Sequence, residues 1–379
     1  MEFFKNIRVL ELASVLAGPS VGQFFAELGA DVIKVENLAF GGDVTRSWKA
    51  AGENTDDRSA YFCAVNWGKR SIAIDLTSIE GKEQVQKLAS GSDIVIVSYK
   101  PGDAEKFGVD YSSLSALNPR LIYGQITGYG PDVQRVGYDA IIQAEAGFMY
   151  MNGEPGGQSL KMPVALIDVL AAHHLKEGIL LALLNLGQTG KGTLIAVSLL
   201  DAAVSSLVNQ ATNYLMSGKI PQKQGSAHPN IAPYGDAFQS RDGVDFILAV
   251  GSDKQFASLC QILNLGDLIT HADFSSNAAR VLHRDTLKTY IQASIGNFLI
   301  DEIMNKLLIH QIPGGIIKNL KDVFSSAEIQ DLVMRSASLA GVKTFVGVSE
   351  LFESIKLSPP PHLGEHTVEI IMEINGSSV

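Results

Sequence analysis

Short apolar runs alternate with amphipathic stretches through the first half of the chain. Arg8-Val9-Leu10-Glu11-Leu12 has a strand pattern, and a loop containing Ala17-Gly18-Pro19 follows it. Residues from about Ser20 to Leu28 read as a helix with Phe24, Phe25 and Leu28 on its apolar side, closed by Gly29 as a left-handed cap. Asp31-Val32-Ile33-Lys34-Val35-Glu36 is the next strand and completes a strand–helix–strand unit. The pattern recurs in strand Ser71 to Leu76, helix Ser78 to Leu88, strand Asp93 to Val97 and strand Leu121 to Ile126. Such alternation predicts an α/β fold: a doubly wound, mostly parallel, Rossmann-like sheet covered by helices on both faces.

Further along, longer helices are expected from Val169 to Leu186 and from Leu199 to Met216. The turn Gly190-Lys191-Gly192 and a strand from Thr193 to Val197 lie between them. The texture changes near Ser217. Lys223 to Asn230 is polar and turn-rich, as in a linker, and Phe238 to Val250 reads as a hairpin around Arg241-Asp242-Gly243. Helical segments fill much of Gln255 to Leu308, Pro313-Gly314-Gly315 breaks the chain, and a last helix is expected from Glu365 to Glu373. The division that follows is a large domain, residues 1–215 plus 330–379, and a smaller α+β domain, residues 216–329.

Composition narrows the function. Acidic residues outnumber basic ones, 40 to 30, and the net charge of −10 gives no support to nucleic-acid binding. The two cysteines, Cys63 and Cys260, form no metal-ligand pattern, which argues against a disulfide scaffold or thiolate zinc site and for a reducing, cytoplasmic setting. Met1 to Asn6 has no apolar signal core. Ile179 to Leu184, the most apolar stretch, is six residues long, against the roughly 20 that a membrane span requires.

The first strand–helix–strand unit invites a dinucleotide, but Leu16-Ala17-Gly18-Pro19-Ser20 offers one glycine where three are needed, and Pro19 removes an amide from the helix start. Gly190-Lys191-Gly192 lacks the surroundings of a phosphate loop and reads as a turn. His173 and His174 point about 100° apart on a helix and cannot chelate together. Asp168 is the strongest candidate for chemistry. It follows Met162-Pro163-Val164-Ala165-Leu166-Ile167 and opens a periodic helix, where an aspartate N-cap is expected. Amides and dipole at a helix start favour the ionised carboxylate, the form a nucleophile needs.

Many short segments in register resemble the class III CoA-transferases of the formyl-CoA transferase type, which are related to 2-methylacyl-CoA racemases. They include Val9-Leu10-Glu11-Leu12, Leu16-Ala17-Gly18-Pro19, Leu28 to Glu36, Gly42-Asp43 with Arg46, and Asn66 with Lys69-Arg70-Ser71-Ile72. Pro101-Gly102, Leu117 to Arg120, Gly128-Tyr129-Gly130, Gly137-Tyr138-Asp139 and Thr189 to Ala202 continue the match. His228 to Tyr234 and Leu363 to Thr367 carry it almost to the end.

The resemblance implies that the Asp168 carboxylate attacks an acyl-CoA thioester, forms an acyl–aspartyl anhydride, and passes CoA to a second carboxylic acid. Acyl-CoA and the acid are then substrates, with no permanently bound cofactor and no metal. Nucleotide contacts are expected at Val15, Lys69, Ser98, Tyr99 and Lys106, and Leu16, Tyr129 and Tyr138 complete the expected CoA-binding set. Lys69, Arg70, Lys100 and Lys106 are expected to cluster at strand ends, where open parallel sheets bind ligands. An interlocked homodimer is also implied.

Departures from the formyl-CoA transferase pattern bear on the substrate. Leu16 replaces a glutamine, Asn37 an arginine and Thr127 a lysine, and Ser98-Tyr99 replaces an Asn-Phe pair. The His228 to Tyr234 segment stands where a glycine-rich lid is usual. These changes argue for an acyl pair other than formate and oxalate. In the racemases a histidine stands where this chain has Tyr138, and a phenol of pKa about 10 is a poor base at neutral pH. Racemisation and non-catalytic acyl-CoA binding are the alternative readings.

Overall fold

The computed structural model describes residues 3–347 and 356–376. Its main sheet has six parallel strands: β1 (Arg8–Leu12), β2 (Asp31–Asn37), β3 (Lys69–Ile74), β4 (Ile94–Val97), β5 (Ile122–Thr127) and β6 (Thr193–Ser198). Their order is β3-β2-β1-β4-β5-β6, so the chain winds one way from β1 and then reverses to the other side of it at β4. This is the expected doubly wound sheet.

The two faces of the sheet differ in chemistry. Alternate residues Leu10, Leu12, Ile33, Val35, Ile72 and Ile74 join an apolar core with Val85 and Leu88 of the helix Ile79–Ser90 and Ile370 of the last helix, Thr367–Ile374. The residues between them, Glu11, Lys34, Glu36, Lys69 and Ser71, point to the opposite face and are also buried. On β1, the helix Ala17–Glu27 covers that face closely: a Cβ on Gly22 would lie 1.9 Å from Glu11 Oε2. That helix packs on a longer one, Leu166–Thr189, which carries apolar residues all round; Ile179 is buried while Leu181 and Leu184 are exposed.

The chain divides into two compact units. One holds residues up to Gly147, Lys161–Gly218 and Glu328 onward; the other holds Phe148–Leu160 and Lys219–Ala327. Residues 148–160 fell within the large domain in the division read from sequence. They belong to the second unit because Gly225 N donates to Gly153 O and Tyr150 shares a hydrogen bond with Gln222.

The second unit has a three-stranded antiparallel sheet, β7 (Tyr234–Gln239), β8 (Asp245–Ala249) and β9 (Gly314–Ile316), with Phe238 opposite Phe246. The expected hairpin is therefore present. The Pro-Gly-Gly stretch, expected only to interrupt the chain, supplies β9, because pairing such as Leu248 with Gly314 uses backbone groups and needs no side chain.

Two other elements differ from expectation. Leu199 to Met216 forms two helices, Leu199–Ser205 and Val208–Ser217. The break falls where Ser206 Oγ bonds back to Ala202 O and Val208 takes φ +40°. A small hairpin, β10 (Val333–Ser336) with β11 (Leu339–Val342), was not anticipated. No helix among the described residues is long and apolar enough to cross a membrane.

Candidate active site

In a sheet of this order, the carboxyl ends of β1 and β4 flank a crevice where ligands bind, because the chains leaving them turn in opposite directions. Ser14 N, just beyond β1, donates to Ser98 Oγ, just beyond β4, at 3.2 Å. Val15 follows with φ +73°, a left-handed conformation that costs a β-branched residue roughly 1–3 kcal/mol. Val15, Leu16, Ser98 and Tyr99 thus meet at one place, all partly exposed. The Tyr99 ring meets Phe107 edge-on at 5.6 Å, and Lys106, exposed on the short helix Asp103–Phe107, carries its ammonium over the Phe107 ring. Burial pushes the Tyr99 phenol well above its ordinary pKa.

Lys69 is placed differently from expectation. It is 1% exposed, and its ammonium donates to Glu11 Oε2 (2.7 Å), Pro19 O (2.8 Å) and Asn66 Oδ1 (2.9 Å). All three of its donors are used inside the protein, so none remains for a phosphate. Burial pulls its pKa down to about 8, against the attraction of Glu11. The expected cationic cluster is not formed either. Arg70, the second residue of β3, lies at the amino end of the sheet and pairs with Asp31, Glu369 and Glu373, whereas Lys100 and Lys106 lie beyond the carboxyl end of β4.

Asp168 lies in the first turn of the helix Leu166–Thr189, but it is not the cap. That helix begins after Ala165, and the Ile167 amide is taken by Asp139 Oδ1 at 2.8 Å. Asp139 comes from the neighbouring helix Asp139–Glu145. Gln143 steadies it, donating to Asp139 Oδ2 and accepting from Met162 N, each at 2.8 Å.

Two glycines bring this helix close. A Cβ on Gly128, just past β5, would stand 2.7 Å from Gly137 Cα, so only bare backbones fit where the segment before Asp139 crosses the sheet end. Relieved of capping and 7% exposed, Asp168 has its pKa pushed up to about 7, first by burial and then by the Asp139 charge. A helix start is expected to favour the ionised form; here burial and the Asp139 charge both act against ionisation.

Tyr61 lies within electrostatic reach of both carboxyl groups. Its phenol is raised first by burial, then by Asp168, Asp139 and Asp43, and its ring meets Trp48 edge-on at 5.2 Å. Asp43 Oδ1 accepts from Val15 N at 3.4 Å. The two remaining expected residues lie on the Asp139 side. Tyr129, after β5, donates its hydroxyl to Glu145 Oε2 under the Arg135 guanidinium. Tyr138 is 60% exposed and precedes the helix Asp139–Glu145.

Asp139, Asp43 and Tyr61 are the residues that sequence reasoning missed. The fragment Gly137-Tyr138-Asp139 was in view, but only the burial of Asp139 distinguishes it from an ordinary first-turn acid. A poorly hydrated carboxyl group whose pKa burial and a neighbouring charge raise to about 7 is a candidate for chemistry.

Comparison with known proteins identifies the family. The pattern of CoA-transferase family III matches residues 4–367. A succinate–glutarate CoA-transferase of Agrobacterium fabrum is 39% identical, the alignment spanning 97% of this chain and 95% of that protein. A succinyl-CoA:glutarate CoA-transferase of Mus musculus is 36% identical over 99% of this chain and 87% of its own length. The crystal structure of a CAIB/BAIF family protein from Brucella suis superposes with a TM-score of 0.86 at 39% identity, covering 98% of this chain and 99% of that one. The chain belongs to CoA-transferase family III and is a CoA-transferase.

Proposed function

We propose that the enzyme exchanges CoA between short dicarboxylic acids, with succinyl-CoA as donor and glutarate as an acceptor, through covalent intermediates on Asp168. The substrate pair is supported by the names of the two relatives above. The observation that carries the mechanism is the buried, poorly solvated Asp168 carboxyl group beside Asp139.

An Asp168 oxygen attacks the thioester carbonyl carbon, the C–S bond breaks, and CoA leaves as thiolate, giving a mixed anhydride. The thiolate then attacks the aspartyl carbonyl, which forms aspartyl-CoA and releases succinate. The acceptor carboxylate attacks that thioester, again expelling thiolate, and the thiolate finally takes the new acyl carbon and frees Asp168. Each step exchanges one acyl bond for another, so no oxidant or metal is required. CoA lies across the β1/β4 crevice in this reading, against Val15, Leu16, Ser98 and Tyr99, with Lys106 meeting phosphate. Tyr129 and Tyr138 border the acyl end.

The test is trapping. Hydroxylamine added with succinyl-CoA should inactivate the enzyme by modifying Asp168, and Asp168→Ala should abolish glutaryl-CoA formation. Full activity in that variant would sink the mechanism. Deuterium entering the α-carbon of a 2-methylacyl-CoA from heavy water, without acyl exchange, would favour racemisation instead.

A homodimer belongs to the same reading, supported by the exposed Leu181 and Leu184 on the long apolar helix; sedimentation of a monomer at micromolar concentration would contradict it. A reducing compartment fits two buried free cysteines whose thiols burial raises to about 11.

A further inference from the structure

Three consecutive backbone groups in the loop leaving β1 are each held by a side chain from a different element. Ala13 O accepts from Lys34 Nζ of β2 at 2.8 Å, Ser14 N donates to Ser98 Oγ, and Val15 N donates to Asp43 Oδ1. Lys34 and Asp43 form a buried ion pair, Nζ to Oδ2 2.9 Å, with both side chains at most 1% exposed.

The partners of this pair are themselves fixed. Lys34 also reaches Glu11 Oε1 at 3.0 Å, and the other Glu11 oxygen takes Lys69, whose bond to Pro19 O secures the first turn of the helix Ala17–Glu27. Asp43 is held by its acceptance from Thr45 N and Oγ1 and by its own amide on Glu36 Oε2.

Burying four charges is a poor route to stability, since well-packed apolar side chains of similar volume do as well or better. What the cluster supplies is geometry. Val15 would escape its left-handed conformation if its amide were released, and its amide and side chain would swing.

We propose that the Lys34–Asp43 pair positions the Ala13–Leu16 loop for acyl-CoA, keeping Val15 left-handed so that the β1/β4 crevice has the shape that the thioester requires. Lys34 and Asp43 act through the loop and touch no substrate. The inference rests on the reading that acyl-CoA occupies this crevice.

Asp43→Asn tests it. The substituted amide keeps one acceptor oxygen and turns an N–H group toward the Lys34 ammonium. Calorimetric Kd for CoA and KM for succinyl-CoA should each rise roughly tenfold or more, the scale on which small misplacements act. The acceptor KM should stay within about twofold, a split that a general loss of stability would not produce. Adding Val15→Gly should recover most of the affinity, because glycine adopts positive φ without being held.

If Asp43→Asn does not fold, the Lys34→Met/Asp43→Asn double variant is read the same way, since Glu11 keeps Lys69 as its partner. Variants that melt earlier but keep the wild-type Kd and KM would overturn the positioning role alone. Wild-type protein without affinity for CoA would overturn the crevice reading and this inference together.

Discussion

Asp168 has two carboxyl properties in tension: burial holds the proton on, and the proposed attack on the thioester needs it off. With a pKa near 7, the nucleophilic form grows as pH rises through neutrality, so kcat/KM should climb between about pH 6 and 8 and then level. Asp139→Asn keeps an acceptor for the Ile167 amide while removing the neighbouring charge. It should move that rise to lower pH without returning it to the ordinary aspartate range, because burial is the larger cause.

Stability runs the other way. The folded protein holds a proton that the unfolded chain releases near pH 3.8, so Asp168 stabilises at acid pH and loses that contribution as pH rises through about 7. Asp168→Asn should therefore gain stability over wild type between pH 4 and 8, by roughly 4 kcal/mol at most. Urea melts at both ends of that range measure it; equal gaps at pH 4 and 8 would contradict the shifted pKa.

At the scale of elements, strands and helices were legible because apolar residues recur at the periods that backbone geometry imposes. The polar alternate positions of β1, β2 and β3 were not. Glu11, Lys34 and Lys69 look like the solvent-facing half of an amphipathic strand, yet the helix Ala17–Glu27 packs over that face and the charges satisfy one another. The resemblance implies a nucleotide contact at Lys69, and no sequence pattern reveals that its ammonium is spent on Glu11, Pro19 and Asn66 inside the protein. Asp139 was missed because its proximity to Asp168 depends on the crossing of Gly128 and Gly137, which no sequence pattern encodes. Gly137→Ala tests that crossing. Its methyl would meet Gly128 backbone, and overpacking of this kind costs about 1–3 kcal/mol. Transfer activity should fall further than the melting shift explains, since the Asp139 helix must move; unchanged activity would show that the crossing does not set the site.

The whole molecule returns on itself. Thr367–Ile374 lies on the same apolar core as β1, β2 and β3, with Ile370 fully buried, and Arg70 binds Glu369 and Glu373. Ile370→Ala should cost about 2–5 kcal/mol, read from urea unfolding, although it is far in sequence from every candidate site residue. The tail's return to the large domain was expected from sequence; the exchange of residues 148–160 was not, because the bonds that hold them reach across some seventy positions. During synthesis the six strands emerge long before this helix. The patch it shields must therefore wait, wet and adhesive, until this helix emerges from the ribosome, and a chain lacking the helix would keep every candidate site residue but present a bare flank for chaperones to find.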